Sequence, residues 1–383
     1  LHELIEHCLD PQQGGATPSD FPLVSLDQAQ LEGLGLPLAQ IEDLYPLSPM
    51  QQGMLFHSAY DAEPGAYINQ LRLTIEGLDV ARFAQCWEAV LERHEVLRAR
   101  CVWEGQAQAM QAIQRSVQLP LTVLESVPDD LDRLALEQRE QGFDLHQAPL
   151  LRLGLVPLAA RRYERIYTSH HILMDGWSNA QLLGEVLQRY AGQVPPPATG
   201  RYADYVGWLL AQDAGASEQF WRVQLQALPA PTLLGNALPA PREGSGHGSH
   251  HVLLDATTTA RLGEFARHNK VTFNTLLQAA WAVLLQRYCG QSSVAFGATV
   301  AGRPAHLAGI EQQVGLFINT LPIICSPDAT HSVANWLQQV QAHSVALREH
   351  EHTPLYDIQR WAGQPGSALF DTLLVFENFP VSQ

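Results

Sequence analysis

The chain has 383 residues, 46% of them hydrophobic and 16% charged, which is long enough for two lobes with their own cores and excludes a disordered chain. A net charge of −16 argues against a nucleic-acid surface, and no uncharged apolar run approaches the length of a membrane span. The five cysteines (Cys8, Cys86, Cys101, Cys289, Cys325) are odd in number and lack a C-x-x-C; with no secretory leader at the start, they suit a reducing cytoplasm rather than a disulfide framework or a zinc site.

Leu1, Leu4 and Ile5 suggest a helix, turn-rich residues 11–20 follow, and the stretch 1–35 reads as a linker or the tail of a preceding domain. Ser48, Pro49 and Gln51 supply an N-cap, an N1 proline and an N3 partner, so a helix starts there and ends near His57, read as a helix-end histidine. Residues 66–75 alternate as a strand. Asp79 then caps a helix with Phe83, Cys86, Trp87, Val90 and Leu91 on one face, running into the basic cluster Arg93-His94-Glu95-Val96-Leu97-Arg98. Residues 165–168 alternate as a strand and lead into Ser169-His170-His171-Ile172-Leu173-Met174-Asp175-Gly176-Trp177-Ser178. Ser178 and Gln181 match an S-x-x-Q capping box, and Leu182, Leu183, Val186, Leu187 and Tyr190 continue at helical spacing to Gly192.

The two histidines therefore stand at a strand-to-helix junction, where side chains converge and backbone N–H groups are free. At such a corner His171 can face a reaction centre while Asp175 locks the turn on a buried cation, and Gly176 leaves the approach open. Arg93, Arg98 and Arg303 are the candidate cations, because an unpaired interior carboxylate is costly. The second pair, His250-His251, sits beside a Gly-rich run and reads as solvent-exposed.

Pro-rich residues 194–200 mark a lobe boundary. Beyond it, residues 273–290 predict a helix with Leu277, Ala280, Trp281, Leu284, Leu285 and Tyr288 on its apolar face. A strand over 294–300, the turn Gly302-Arg303-Pro304, a helix over 333–347 and a strand over 373–376 follow. Strands alternating with amphipathic helices suit an α+β fold, and no P-loop or dinucleotide fingerprint is found.

The H-H-x-x-x-D-G string resembles the signature of condensation domains of nonribosomal peptide synthetases, members of the chloramphenicol acetyltransferase-like superfamily. Further stretches match that family in order. Residues 41–57 resemble the first motif in its form for D-configured donors, and 93–98 the R-H-E-x-L-R motif, with Cys101 where an aromatic is usual. Residues 142–145, 202–208, 315–322 and 370–378 match later motifs. Residues 17–23 resemble the seam after an epimerization domain. The resemblance runs from residue 41 onward, and the family usually continues somewhat further.

The resemblance implies a pseudo-dimer of two acyltransferase-like lobes, roughly 36–195 and 200–383, in a V shape with a channel between them. It implies amide formation between a donor peptidyl thioester, ending in a D-residue, and the amine of an acceptor aminoacyl thioester. His171 would act on that amine as base or as orienting group, with His170 structural, Asp175 held through an arginine, and Trp177, Ser178 and Asn319 on the channel. No metal and no directly bound cofactor is implied. The 4′-phosphopantetheine arm would come with donor and acceptor peptidyl carrier domains, and epimerization and adenylation domains would be neighbours in a multimodular synthetase. The alternatives are an epimerization domain, whose second glutamate motif is not evident here, and a non-catalytic carrier-docking scaffold.

Overall fold

The computed structural model describes residues 15–60, 65–125, 130–239, 248–363 and 367–377. The helix expected over residues 1–5, Cys8 and the end of the last motif at Asn378 lie outside them. The described chain falls into two compact units. The first holds the residues up to Ala211 together with Arg303–Phe317, and the second holds Gln212–Gly302 and the residues from Ile318 on. Thus 200–211 and 303–317, expected in the second lobe, pack with the first unit.

In the first unit a sheet of order β2-β7-β6-β5 combines β2 (Ile68–Glu76), β5 (Leu121–Val123), β6 (Leu151–Ala159) and β7 (Arg162–His170). β7 lies antiparallel between β2 and β6, with Ile68 opposite His170 and Leu151 opposite Ser169, so the H-H pair stands at the very end of a central strand. A second sheet orders β1 (Ile41–Pro46), β4 (Met110–Gln114) and β3 (Ala99–Val102) antiparallel. Its core joins Ile41, Leu44, Met110 and Ala112 to Phe21 and Leu31. The stretch expected to be a linker is therefore pinned by two buried side chains from residue 21 onward.

Helix α1 (Pro49–Tyr60) opens with the expected cap: Ser48 N–H donates to Gln51 Oε1 at 2.9 Å and Gln51 N–H to Ser48 Oγ at 3.3 Å. Helix α2 (Val80–Arg93) is capped by Asp79 and buries Phe83, Cys86, Trp87, Val90 and Leu91, the face its 3.6-residue spacing predicts. Helix α3 (Leu131–Glu140) covers the first sheet, and α4 (Gly176–Tyr190) and α5 (Tyr202–Leu210) complete the unit. The cap of α4 differs from the expectation: Asp175, not Ser178, is the N-cap and accepts from Ser178 N–H. Only Leu182 and Val186 of its apolar series are fully buried, and Leu187 is exposed.

The second unit contains α6 (Ala214–Leu225), α7 (Ala256–His268), α8 (Phe273–Cys289), α9 (Val333–Leu347), α10 (Leu355–Trp361) and a sheet of order β10-β8-β9. Here β8 is Val294–Val300, β9 is Asn319–Cys325 and β10 is Leu373–Leu374, shorter than the strand expected there. Its core gathers Trp221, Leu285, Phe296, Leu321, Ile323, Val340, Leu347 and Ile358. In α8 the buried residues are Thr275, Gln278, Ala279, Ala282 and Leu285, whereas Leu284 and Tyr288 of the expected apolar face are exposed. An almost continuously apolar helix has no unique moment, so small residues at the close contacts with neighbouring elements decide which side faces inward. His250 and His251 are exposed, as their surroundings suggest, and Cys86, Cys101, Cys289 and Cys325 are free thiols.

Candidate active site

The strand-to-helix corner is built from one short 3₁₀ turn, His171–Leu173, between β7 and α4. His170 caps that turn: its Nδ1 accepts from Ile172 N–H at 3.1 Å, which leaves Nε2–H to meet Ser58 Oγ at 3.3 Å. The ring is 3% exposed, and burial, reinforced by His171, pushes its pKa down to about 4. His170 is therefore a neutral, fully engaged structural imidazole above that pH.

His171 is the opposite case. It is half-buried, and its Nδ1 lies 2.9 Å from Met174 O. A carbonyl only accepts, so Nδ1 carries a proton, and in the neutral ring Nε2 is the nitrogen with the lone pair. Among the described residues Nε2 makes no hydrogen bond. The backbone N–H of His171 donates to Tyr67 O at 2.7 Å, so ring and main chain are both tied. Gln51, 2% exposed, supports the turn from the other side by donating Nε2–H to Ile172 O at 3.0 Å, while its Oε1 accepts from Gln111 at 2.9 Å.

Asp175 is 2% exposed and every part of it points away from solvent. Its Oδ1 accepts Ser178 N–H at 2.8 Å and its Oδ2 accepts Phe317 N–H at 3.1 Å. Its own N–H donates to Gly315 O at 3.1 Å. Of the three candidate cations, Arg303 is the partner, with Nη2 3.5 Å from Oδ1. Arg303 also donates to Ser178 Oγ at 2.7 Å and to the carbonyls of Ile310 and Gln313, and lies 4.0 Å over the Phe317 ring. Burial pulls its pKa below the usual arginine value, opposed chiefly by the Asp175 charge.

Arg93 and Arg98 are employed elsewhere, contrary to the expectation. Arg93 and His94 both meet Glu185 of α4, at 3.5 and 2.9 Å. Arg98 pairs with Glu42 and donates to the carbonyls of Leu91 and Gln114. Glu95, between them, accepts from Arg201 Nε at 2.7 Å and from Ala203 N–H at 3.0 Å. The motif thus clamps α2 to β1, α4 and α5 rather than touching Asp175. The sequence carries no signal for Glu185 or Arg201 as partners, because they lie 91 positions from His94 and 106 from Glu95.

Two residues expected on a channel are instead built into the frame. Ser178 has no exposed surface; its hydroxyl donates to Gly315 O at 2.8 Å and accepts from Gly315 N–H and Arg303. Asn319, in the second unit, donates both amide hydrogens, to Glu351 O and Thr353 O at 2.8 Å each, and accepts from Thr320 N–H. Trp177 is half-buried with Nε1 3.4 Å from Glu311 O, and Gly176 opens α4 at its first position. His57 is exposed at the end of α1.

Gly315 takes part in the lock through its backbone, and it has no room for a side chain: an added Cβ would lie 2.3 Å from Tyr202 Cδ2. Tyr202 is 2% exposed and its hydroxyl donates to Leu316 O at 2.8 Å, so the ring cannot step aside. Gly315→Val is expected to destabilise the first unit by about 1–3 kcal/mol through overpacking, read as a lower urea midpoint with an unchanged slope.

A family model described as the condensation domain matches residues 41–383. The chain belongs to the condensation domain family, the amide-forming domains of nonribosomal peptide synthetases. Its relatives are far longer. A linear gramicidin synthase of Brevibacillus parabrevis is 41% identical over 399 residues, which cover 100% of this chain and 5% of that protein. Chondramide synthase cmdD of Chondromyces crocatus is 37% identical over 438 residues, covering 99% of this chain and 11% of that one. A holo four-domain nonribosomal peptide synthetase, bound to AMP and glycine, shares the fold at TM-score 0.72 and 22% identity, over 87% of this chain and 26% of that one. The X-domain complexed with OxyB, from teicoplanin biosynthesis, matches at TM-score 0.70 and 26% identity, over 84% of this chain and 74% of that one. The mixed α+β, chloramphenicol acetyltransferase-like fold of a condensation domain is thereby established.

Proposed function

We propose that the chain joins a donor peptidyl thioester, ending in a D-residue, to the amine of an acceptor aminoacyl thioester, each presented on the phosphopantetheine arm of a peptidyl carrier domain. The observation that carries this reading is His171, with Nδ1–H held by Met174 O and Nε2 without a hydrogen bond among the described residues, on a corner fixed by Asp175 and Arg303.

In the reaction the acceptor nitrogen attacks the thioester carbonyl carbon and the C–N bond forms. The tetrahedral intermediate collapses, the C–S bond breaks, and the donor arm leaves as a thiol. Nε2 of His171 accepts a hydrogen bond from the attacking amine, which aims the nitrogen lone pair, and takes the proton that the new ammonium must lose; that proton goes on to the departing sulfur. His170 cannot share this role, because both its nitrogens are engaged and it resists protonation. Asp175 acts through the corner, not on substrate.

The D-configured donor is supported by two stretches of sequence, 17–23 and 41–57; the first also supports an epimerization domain upstream, and the family resemblance supports an adenylation domain as a neighbour, in a synthetase whose cysteine pattern suits the cytoplasm. Incubating the chain with two loaded carriers, donors ending in D- or L-residues, and following the acceptor by intact mass tests the reading. Product from the D-donor is expected. Product from the L-donor alone removes the stereochemical part; epimerised donor without product assigns an epimerization domain; carrier binding with neither leaves a docking scaffold.

His170 sets an acid limit on the same corner. Unfolded, its imidazole takes a proton near 6.5; folded, only near 4. The unfolded state binds more protons between these values, so stability falls as pH drops from about 6.5 towards 4, by up to ~3 kcal/mol from this group. His170→Gln is expected to lose less stability than the wild type between pH 7.5 and pH 4.5 in urea titrations, each protein compared with itself.

A further inference from the structure

We propose that Tyr67 is a positioning residue for His171 that acts through a left-handed backbone. The inference deepens the functional reading above and rests on it for the meaning of His171. Tyr67 has φ 57°, a conformation that non-glycine residues adopt only rarely and that an aromatic ring, unlike the amide of asparagine, does nothing local to favour. It immediately precedes β2, whose register against β7 ends with Ile68 opposite His170. With its φ in the left-handed region, Tyr67 still faces His171 one pair beyond Ile68 and His170 in the same register, and its carbonyl meets the first amide of the 3₁₀ turn: Tyr67 O accepts His171 N–H at 2.7 Å.

His171 is thereby held at two points, its N–H by Tyr67 O and its Nδ1–H by Met174 O. With both fixed, Nε2 has a single direction. The Tyr67 ring, half-buried, lies 6.4 Å from the rings of both His170 and His57, so the residue is packed into this geometry from its side chain as well. A strained φ persists where its surroundings over-determine it, and such positions cluster where a site must be pre-organised.

The test separates backbone from ring. Glycine and asparagine accept a positive φ, whereas valine does not. Tyr67→Val is expected to lose at least about tenfold in kcat for amide formation with KM little changed, and Tyr67→Gly and Tyr67→Asn to recover most of that loss. Exchange of the His171 amide, followed by NMR on protein labelled with 15N-histidine, is expected to speed up at least about tenfold in the valine variant and to stay slow in the other two. The exchange needs no carrier, so it decides the positioning claim even where the wild type forms no product and the functional reading itself fails. Unchanged exchange in Tyr67→Val overturns the proposal. So does a glycine or asparagine variant as impaired as valine, since the ring and not the backbone would then be responsible.

Discussion

Asp175→Ala lowers the stability of the first unit by about 3–5 kcal/mol, the range for removing one partner of a buried ion pair. Three groups lose their acceptor or counter-charge at once. The N–H groups of Ser178 and Phe317 lose an oxygen each, the first of these being the N-cap bond of α4, and the Arg303 guanidinium, 6% exposed at its side chain, is left buried beside a neutral methyl. Asp175→Asn retains an oxygen for one of the two amides, so its cost is smaller, about 1–3 kcal/mol. Urea titration followed by far-UV circular dichroism ranks the two variants. Equal, small losses would mean that Arg303 finds water or other carbonyls when the carboxylate is gone.

His171→Ala has its expected effect on rate and little on fold. Removing the half-buried ring leaves Met174 O without its donor but opens no sealed cavity, since one side of the ring is already exposed. Amide formation in single turnover is expected to slow about 100-fold, the low end of the contribution of a positioned base, because a thioester is already activated and a neutral amine requires mainly orientation. Carrier affinity should stay within error. Loss of carrier binding together with rate would make His171 a docking residue instead.

The corner itself was legible in the sequence because strand, turn and helix signals meet within a short stretch. Residues 165–168 alternate, His171–Leu173 form the turn, and Leu182 and Val186 repeat at helical spacing. The cap at Ser48 and the buried face of α2 were legible for the same reason, since each rests on neighbours three or four residues apart. What the sequence hid are long-range pairings. Three arginines of similar surroundings competed for Asp175, and only folding shows that Glu42 and Glu185 claim two of them. The sequence points to Ser178 as the N-cap of α4 because Asp175 and Ser178 are both good caps; in the structure Asp175 takes the position, and the Oγ of Ser178 is taken by Gly315 and Arg303 across the unit. Asn319 shows the same limit: its amide serves Glu351 and Thr353, partners no local pattern reveals. Segment 303–317 packs with the first unit by contacts of that kind.

The proposed chemistry turns on Nε2 of His171, which makes no hydrogen bond among the described residues, and the protonation pattern of the ring is directly measurable. Long-range 1H–15N correlation spectra of 15N-histidine-labelled protein, with His171→Gln as the assignment control, distinguish the two neutral tautomers. The result expected for the neutral His171 ring is a proton at Nδ1, with Nε2 showing the shift of an unprotonated nitrogen. A ring protonated at Nε2 instead would leave no lone pair for the incoming amine and would contradict the mechanism.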